Sequence, residues 1–158
     1  MDMNWDAIGA IGEIVGALAV VMTLIYLAVQ IKQNSRVSRS VAIQGWATTS
    51  ALEKSVIFTD PEFAAFLLKG SSDYDQLDPT EKLRYRNYAI QVINSFELLY
   101  FQWQNGTIDK TYFLGKEESY LHSIQQKGFR RVWEQSATQQ WDPRFIKYVN
   151  ERVERDDA

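Results

Sequence analysis

The sequence predicts an all-α protein, with an N-terminal transmembrane helix at 1–32 followed by a cytoplasmic bundle of about five helices at 33–158. Three observations point there. Ile14 to Val29 is an uncharged run rich in Val, Leu, Ile and Ala. Beyond it the apolar residues recur with helical period, and no stretch alternates apolar and polar residues between hairpin turns. Aspartate followed by proline recurs at Asp60-Pro61, Asp78-Pro79 and Asp142-Pro143. That pair caps a helix and fills its first position, where the missing proline N–H costs nothing.

The first element runs from Ala7 to Ile31, with Glu13 its one charge. A helix of that length spans roughly 37 Å at 1.5 Å per residue, enough for a hydrocarbon core that needs about 20 residues. Trp5 falls where an interfacial aromatic belongs. A cleaved signal peptide would open on positive charge and end in small residues. Here the start is acidic (Asp2, Asp6) and the run ends Gln30-Ile31-Lys32-Gln33-Asn34, so a retained span is expected. Lys32, Arg36 and Arg39 follow it with no acid before Glu53. The positive-inside rule then sets the N-terminus outside and the C-terminal domain in the cytoplasm.

At 100° per residue, Gly9, Gly12, Gly16, Ala19 and Thr23 share one face of this helix, joined by Gln30 and flanked by Glu13. Ile11, Ile14, Leu18, Val21, Ile25 and Val29 gather on the other. Bulky residues suit lipid, and small ones admit a second helix closely, with Gly12 and Gly16 forming a G-x-x-x-G. This is the expected association face of a homo-oligomer. Glu13 has three readings: it snorkels to the outer interface, it is protonated or hydrogen-bonded to a neighbouring helix, or it rings the mouth of a pore.

The helix is expected to continue from Gln33 to about Phe58, packing through Val41, Trp46, Ala51, Leu52 and Val56. Asp60-Pro61 restarts the chain in a short helix with Phe63, Phe66 and Leu67 inward, ended by Gly70. Ser71 to Leu77 reads as a polar loop. Asp78-Pro79 opens the longest soluble helix, to about Gln104, whose inner face is Tyr85, Tyr88, Ala89, Val92, Phe96, Leu99 and Trp103. Asn105-Gly106 closes it. A further helix follows Asp109 to about Gln126. Gly128 marks a break before a helix carrying Phe129, Val132 and Trp133. Asp142-Pro143 starts the last, with Phe145, Ile146, Val149 and Val153 inward.

Composition narrows the function. A formal net charge of −3 provides no global basic field for nucleic acid, and the absence of cysteine excludes disulfides and thiolate chemistry. No phosphate-binding loop, nucleophile elbow or dinucleotide fingerprint is present. His122, Glu118 and Glu97 are the nearest approach to a carboxylate–histidine metal set. A helical di-metal bundle needs two Glu-x-x-His pairs, so no metal, cofactor or catalytic residue is assigned. Glu97, inside an apolar stretch, reads as a buried group with a polar partner. Lys127, Arg130 and Arg131 surround a glycine at a helix start, an arrangement suited to a small anionic ligand; solvated charge or interhelix ion pairs are the plainer reading. The many aromatics at helical spacing read as core, their polar tips needing partners when buried.

Trp5-Asp6-Ala7-Ile8-Gly9-Ala10-Ile11-Gly12-Glu13-Ile14-Val15-Gly16, followed by Leu24 through Asn34, resembles the opening of a group of small, uncharacterised bacterial single-pass membrane proteins. Phe96-Glu97 through Trp103, Gly106, Arg131 through Glu134 and Pro143-Arg144-Phe145 are similar to it as well. The resemblance implies a bacterial inner-membrane location and no activity. A looser architectural likeness is to small accessory proteins of prokaryotic antiviral systems that join one membrane helix to a helical domain and assemble into pores; their arginine–histidine motif is absent, with Glu117 where the arginine would stand. The expectation is a non-enzymatic, homo-oligomeric membrane protein in contact with lipid, whose helical domain mediates assembly or binds a protein partner. The alternative is a pore, gated by a ligand at the basic cytoplasmic face.

Overall fold

The computed structural model describes residues 5–156, with the side chains of residues 5–8, 10, 56 and 156 outside the description. Asp2 and the side chains of Trp5, Asp6, Ala7 and Val56, all used above, therefore lie outside the described residues. Six α-helices and one short 3₁₀ turn follow in order: α1 (Trp5–Thr59), α2 (Pro61–Ser72), the turn Tyr74–Gln76, α3 (Pro79–Gln104), α4 (Lys110–Gln125), α5 (Lys127–Gln140) and α6 (Pro143–Asp156). The described residues contain no strand. The chain divides into two compact units, Met1–Ser40 and Val41–Ala158, where the sequence suggested a boundary at 32/33.

The first unit is helical over all its described residues. It has no interior. The side chains of Ile11, Ile14, Leu18, Val21, Ile25 and Val29 are all exposed, and so are Gly9, Gly12, Glu13, Gly16, Ala19 and Thr23. Thr23 Oγ1 donates to the Ala19 carbonyl at 2.8 Å and Gln30 Nε2 to Tyr26 Oη at 2.6 Å, so these polar groups are satisfied within the helix. By length and composition this is a helix able to cross a membrane.

In the second unit, aspartate side chains cap helix starts, and Asp142 does so for α6 by accepting from Arg144 N at 2.8 Å. Asp60 accepts from Phe63 N at 3.0 Å and Asp109 from Tyr112 N at 2.8 Å. Asp78 and Glu81 form a reciprocal capping box at 2.8 and 3.0 Å. Helix α3 is the centre: Tyr85, Ala89, Ile93, Phe96 and Leu99 are fully or almost fully buried, and α2, α4 and α5 all pack on it. Helix α6 closes the far side against α4 and α5 through Phe145 and Val149. Phe96 stacks on Tyr120 at 4.9 Å, and Trp103 on Phe113 at 4.4 Å. Three indoles find acceptors: Trp46 on Tyr120 Oη at 3.0 Å, Trp133 on Asn150 at 3.0 Å, and Trp141 on Asn94 at 2.8 Å.

Three local expectations change. Gly70 does not end α2, which runs on to Ser72; it is buried against the Tyr85 ring, so close that a Cβ would lie 2.2 Å from it. Gly128 is not the break either. The break falls at Gln126, and Gly128 sits in the first turn of α5, where a Cβ would lie 2.1 Å from the Gly70 carbonyl oxygen. Both glycines permit α2 and α5 to touch backbone to backbone over Tyr85. The polar loop after α2 contains a 3₁₀ turn and buries Tyr74 and Leu77. Gly106 keeps its expected role, ending α3 at φ +71°, a region only glycine enters without strain.

The packing face of residues 41–59 also differs. Val41 and Leu52 are exposed at 63% and 66%, and Ala51 is exposed too. Trp46 and Ser50 are buried, with Glu53 and Ile57 half-buried below them. These four follow the i, i+4, i+7, i+11 pattern of one helix face, and the large Trp46 fixes which face that is.

Candidate functional site

An open cleft of about 510 Å³ lies in the second unit. Residues 46–57 of α1 form one wall, α2 and α4 the others, and α3 the floor through Tyr88 and Val92. Ile57, Leu67, Leu68, Val92 and Phe129 make it apolar, while Ser50, Ser71, Ser119 and Ser123 add hydroxyls.

Glu53 is the one acidic residue lining it. Burial pushes its carboxyl above the usual range; hydrogen bonds from Ser95 and Gln91 work against that shift, and the neighbouring Lys54 adds a weaker pull in the same direction. Tyr120 closes one end. Its oxygen accepts from Trp46, and burial lifts the phenol to about 12 although the Trp46 hydrogen bond opposes the change. Burial raises Tyr88 too, with the Glu53 charge adding to it. A phenol raised this way is a hydrogen-bonding group rather than a base at neutral pH. Lys116 lies at the cleft edge with its ammonium 5.5 Å from the Trp46 ring and 5.9 Å from Tyr112.

The residues singled out from sequence lie elsewhere. Lys127 and Arg131 line a smaller hollow of about 310 Å³ together with Asp73 and Asp75. Arg131 comes within 3.8 Å of Asp75, and Arg130 within 3.5 Å of Glu134 one turn along α5. Acids are thus interleaved with the bases in that corner. Glu97 is half-buried and accepts from Asp142 N at 2.8 Å, tying α3 to the start of α6. His122 and Glu118 are exposed on α4. Among the described residues no group of histidine and acidic side chains has the arrangement of a metal site.

Sequence reasoning passed over two groups. One is Glu53, taken only as the first acid after the basic flank. The other is Glu117, just 2% exposed. Its carboxylate accepts from Arg152 Nε at 2.9 Å and Nη2 at 3.1 Å, and from the Tyr148 hydroxyl. The signal was present: Phe113, Glu117, Tyr120, Leu121 and Ile124 share one helical face, so a carboxylate on it had to be buried. Bidentate pairing and a phenol make that burial tolerable. Burial is also the first cause of the raised Tyr148 phenol, with Glu117 contributing through its hydrogen bond and charge.

No protein-family model, curated protein or solved structure matches this chain.

Proposed function

We propose that the protein is a homo-oligomeric bacterial inner-membrane protein, anchored by the first half of α1, whose helical domain mediates assembly or partner binding. One observation carries the reading. Ile11, Ile14, Leu18, Val21, Ile25 and Val29 are each about half exposed or more, on a helix with none of its apolar window buried. An uncovered apolar surface of that extent is stable in lipid or against another protein, not in water. Its flanks favour lipid, with an acidic start on one side and Lys32, Arg36 and Arg39 on the other, which orients the domain toward the cytoplasm.

The self-association part rests on the other face of the same segment. Cβ atoms placed on Gly9, Gly12 or Gly16 meet nothing within 4 Å, which leaves room for the close approach of an identical helix. Fractionation of cells making the full chain tests the anchor: it should stay with membranes after alkaline carbonate washing and leave only with detergent. A chain that remains monomeric and dispersed in buffer alone would sink the proposal. Cross-linking in membranes tests assembly. Gly12→Leu with Gly16→Leu should abolish the oligomer while the chain stays in the membrane fraction.

A further inference from the structure

We propose that the cleft walled by α1, α2 and α4 binds a small organic cation with an apolar body, its ammonium paired with Glu53 and its body lying on Ile57, Leu67, Leu68 and Val92. The inference goes beyond the anchoring role and does not depend on it. It begins with size: about 510 Å³ lies within the range of ligand-binding pockets, roughly 300–1,000 Å³. The lining suits an amphipathic occupant, with Ile57, Leu67, Leu68, Val92 and Phe129 beside four serines and the charged Glu53, Lys54 and Lys116.

The charge of the occupant follows from Glu53. Its hydrogen-bond partners, Ser95 and Gln91, are both neutral. This differs from Glu117, which is paired with an arginine. A half-buried carboxylate with neutral partners gains most from a cation brought to it in a poorly hydrated place. The lysines do not reverse the sign. Lys54 is exposed and acts on Glu53 more weakly than burial and the two hydrogen bonds do. Lys116 already rests over two rings, which shows that this aromatic edge attracts positive charge. An anion would have to lie beside the Glu53 carboxylate.

The test uses the full chain in phosphatidylcholine nanodiscs, titrated calorimetrically with phenethylammonium. Phenylacetate serves as the charge-reversed probe and phenethyl alcohol as the neutral one, and empty nanodiscs give the partitioning background. Phenethylammonium should bind saturably and at least tenfold more tightly than either of the others. Glu53→Gln keeps the shape and the Ser95 hydrogen bond and should weaken it tenfold or more. Gly115 lines the cleft on an exposed part of α4, and a Cβ there meets nothing within 4 Å. Gly115→Phe should therefore block binding without lowering the melting temperature, phenylalanine being the better helix former of the two. The proposal fails if phenylacetate binds as well as the amine, if no probe saturates at millimolar concentration, or if either variant binds like the wild type. If Glu53→Gln proves misfolded by circular dichroism, the Gly115→Phe variant and the three probes decide.

Discussion

Residues 5–40 and residues 41–156 are built from similar apolar side chains and treat them in opposite ways. In the first region Leu18 is 54% exposed and Ile25 60%. In the second, Leu99 is 0% exposed and Ile93 1%. The difference lies in what each region contains: a single helix in the first, and several helices packed on one another in the second. Helix α3 has α2, α4 and α5 packed on it, whereas the described side chains around Leu18 are exposed. Glutamates divide the same way: Glu13 is exposed in the first unit, and Glu117 is buried in the second.

The most drastic way to break that contrast is to make the first region polar. Leu18→Lys, Val21→Lys and Ile25→Lys together should move the chain wholly from the membrane fraction to the supernatant, since each lysine costs about 3 kcal/mol at the centre of a span. Retention in the pellet would mean that lipid is not what covers this face. In the second region the largest loss should follow Glu117→Ala. It removes the carboxylate to which Arg152 and Tyr148 both donate, and denaturant unfolding followed by near-ultraviolet circular dichroism should register about 3 kcal/mol. An effect below 1 kcal/mol would make the pair a surface ornament despite its burial.

Gly128→Ala comes next, at about 2 kcal/mol, because the new methyl meets a backbone carbonyl that cannot step aside. Asp78→Ala should cost about 1 kcal/mol through loss of the capping box. The smallest change concerns pH. Glu53 has its carboxyl raised in the folded state, chiefly by burial. Folding therefore favours its protonated form, and its penalty on stability is absent below the ordinary glutamate range and complete once pH exceeds the raised value. Glu53→Gln should accordingly gain on the wild type as pH rises from 4 to 7, measured by melting temperature at each pH. A gap that stays constant or narrows over that range would show that burial does not raise this group.

How much of this was legible beforehand depends on the reach of the signal. The starts at Pro61, Pro79 and Pro143 and the inner faces of α3 and α6 could be read from the residues, because capping and helical period involve neighbours within about four positions. The candidate cleft could not. Its floor, walls and carboxylate come from five helices, and Glu53 meets Ser95 across 42 positions of sequence. The predicted anion corner shows the same limit. Lys127, Arg130 and Arg131 are neighbours in sequence, but Asp73 and Asp75 join Lys127 and Arg131 from before α3.

Sequence alone determined that the chain is helical, where most helices begin, and that residues 14–29 form one uncharged apolar run. All of these follow from local covalent preference and composition. Tertiary structure decided which side of residues 41–59 faces inward, that Gly70 and Gly128 serve a helix crossing rather than helix ends, and that Glu117 is buried with Arg152 while Glu53 has neutral partners. Each of those depends on groups far apart in the chain arriving at one place, where a methyl has no room or a charge has little water.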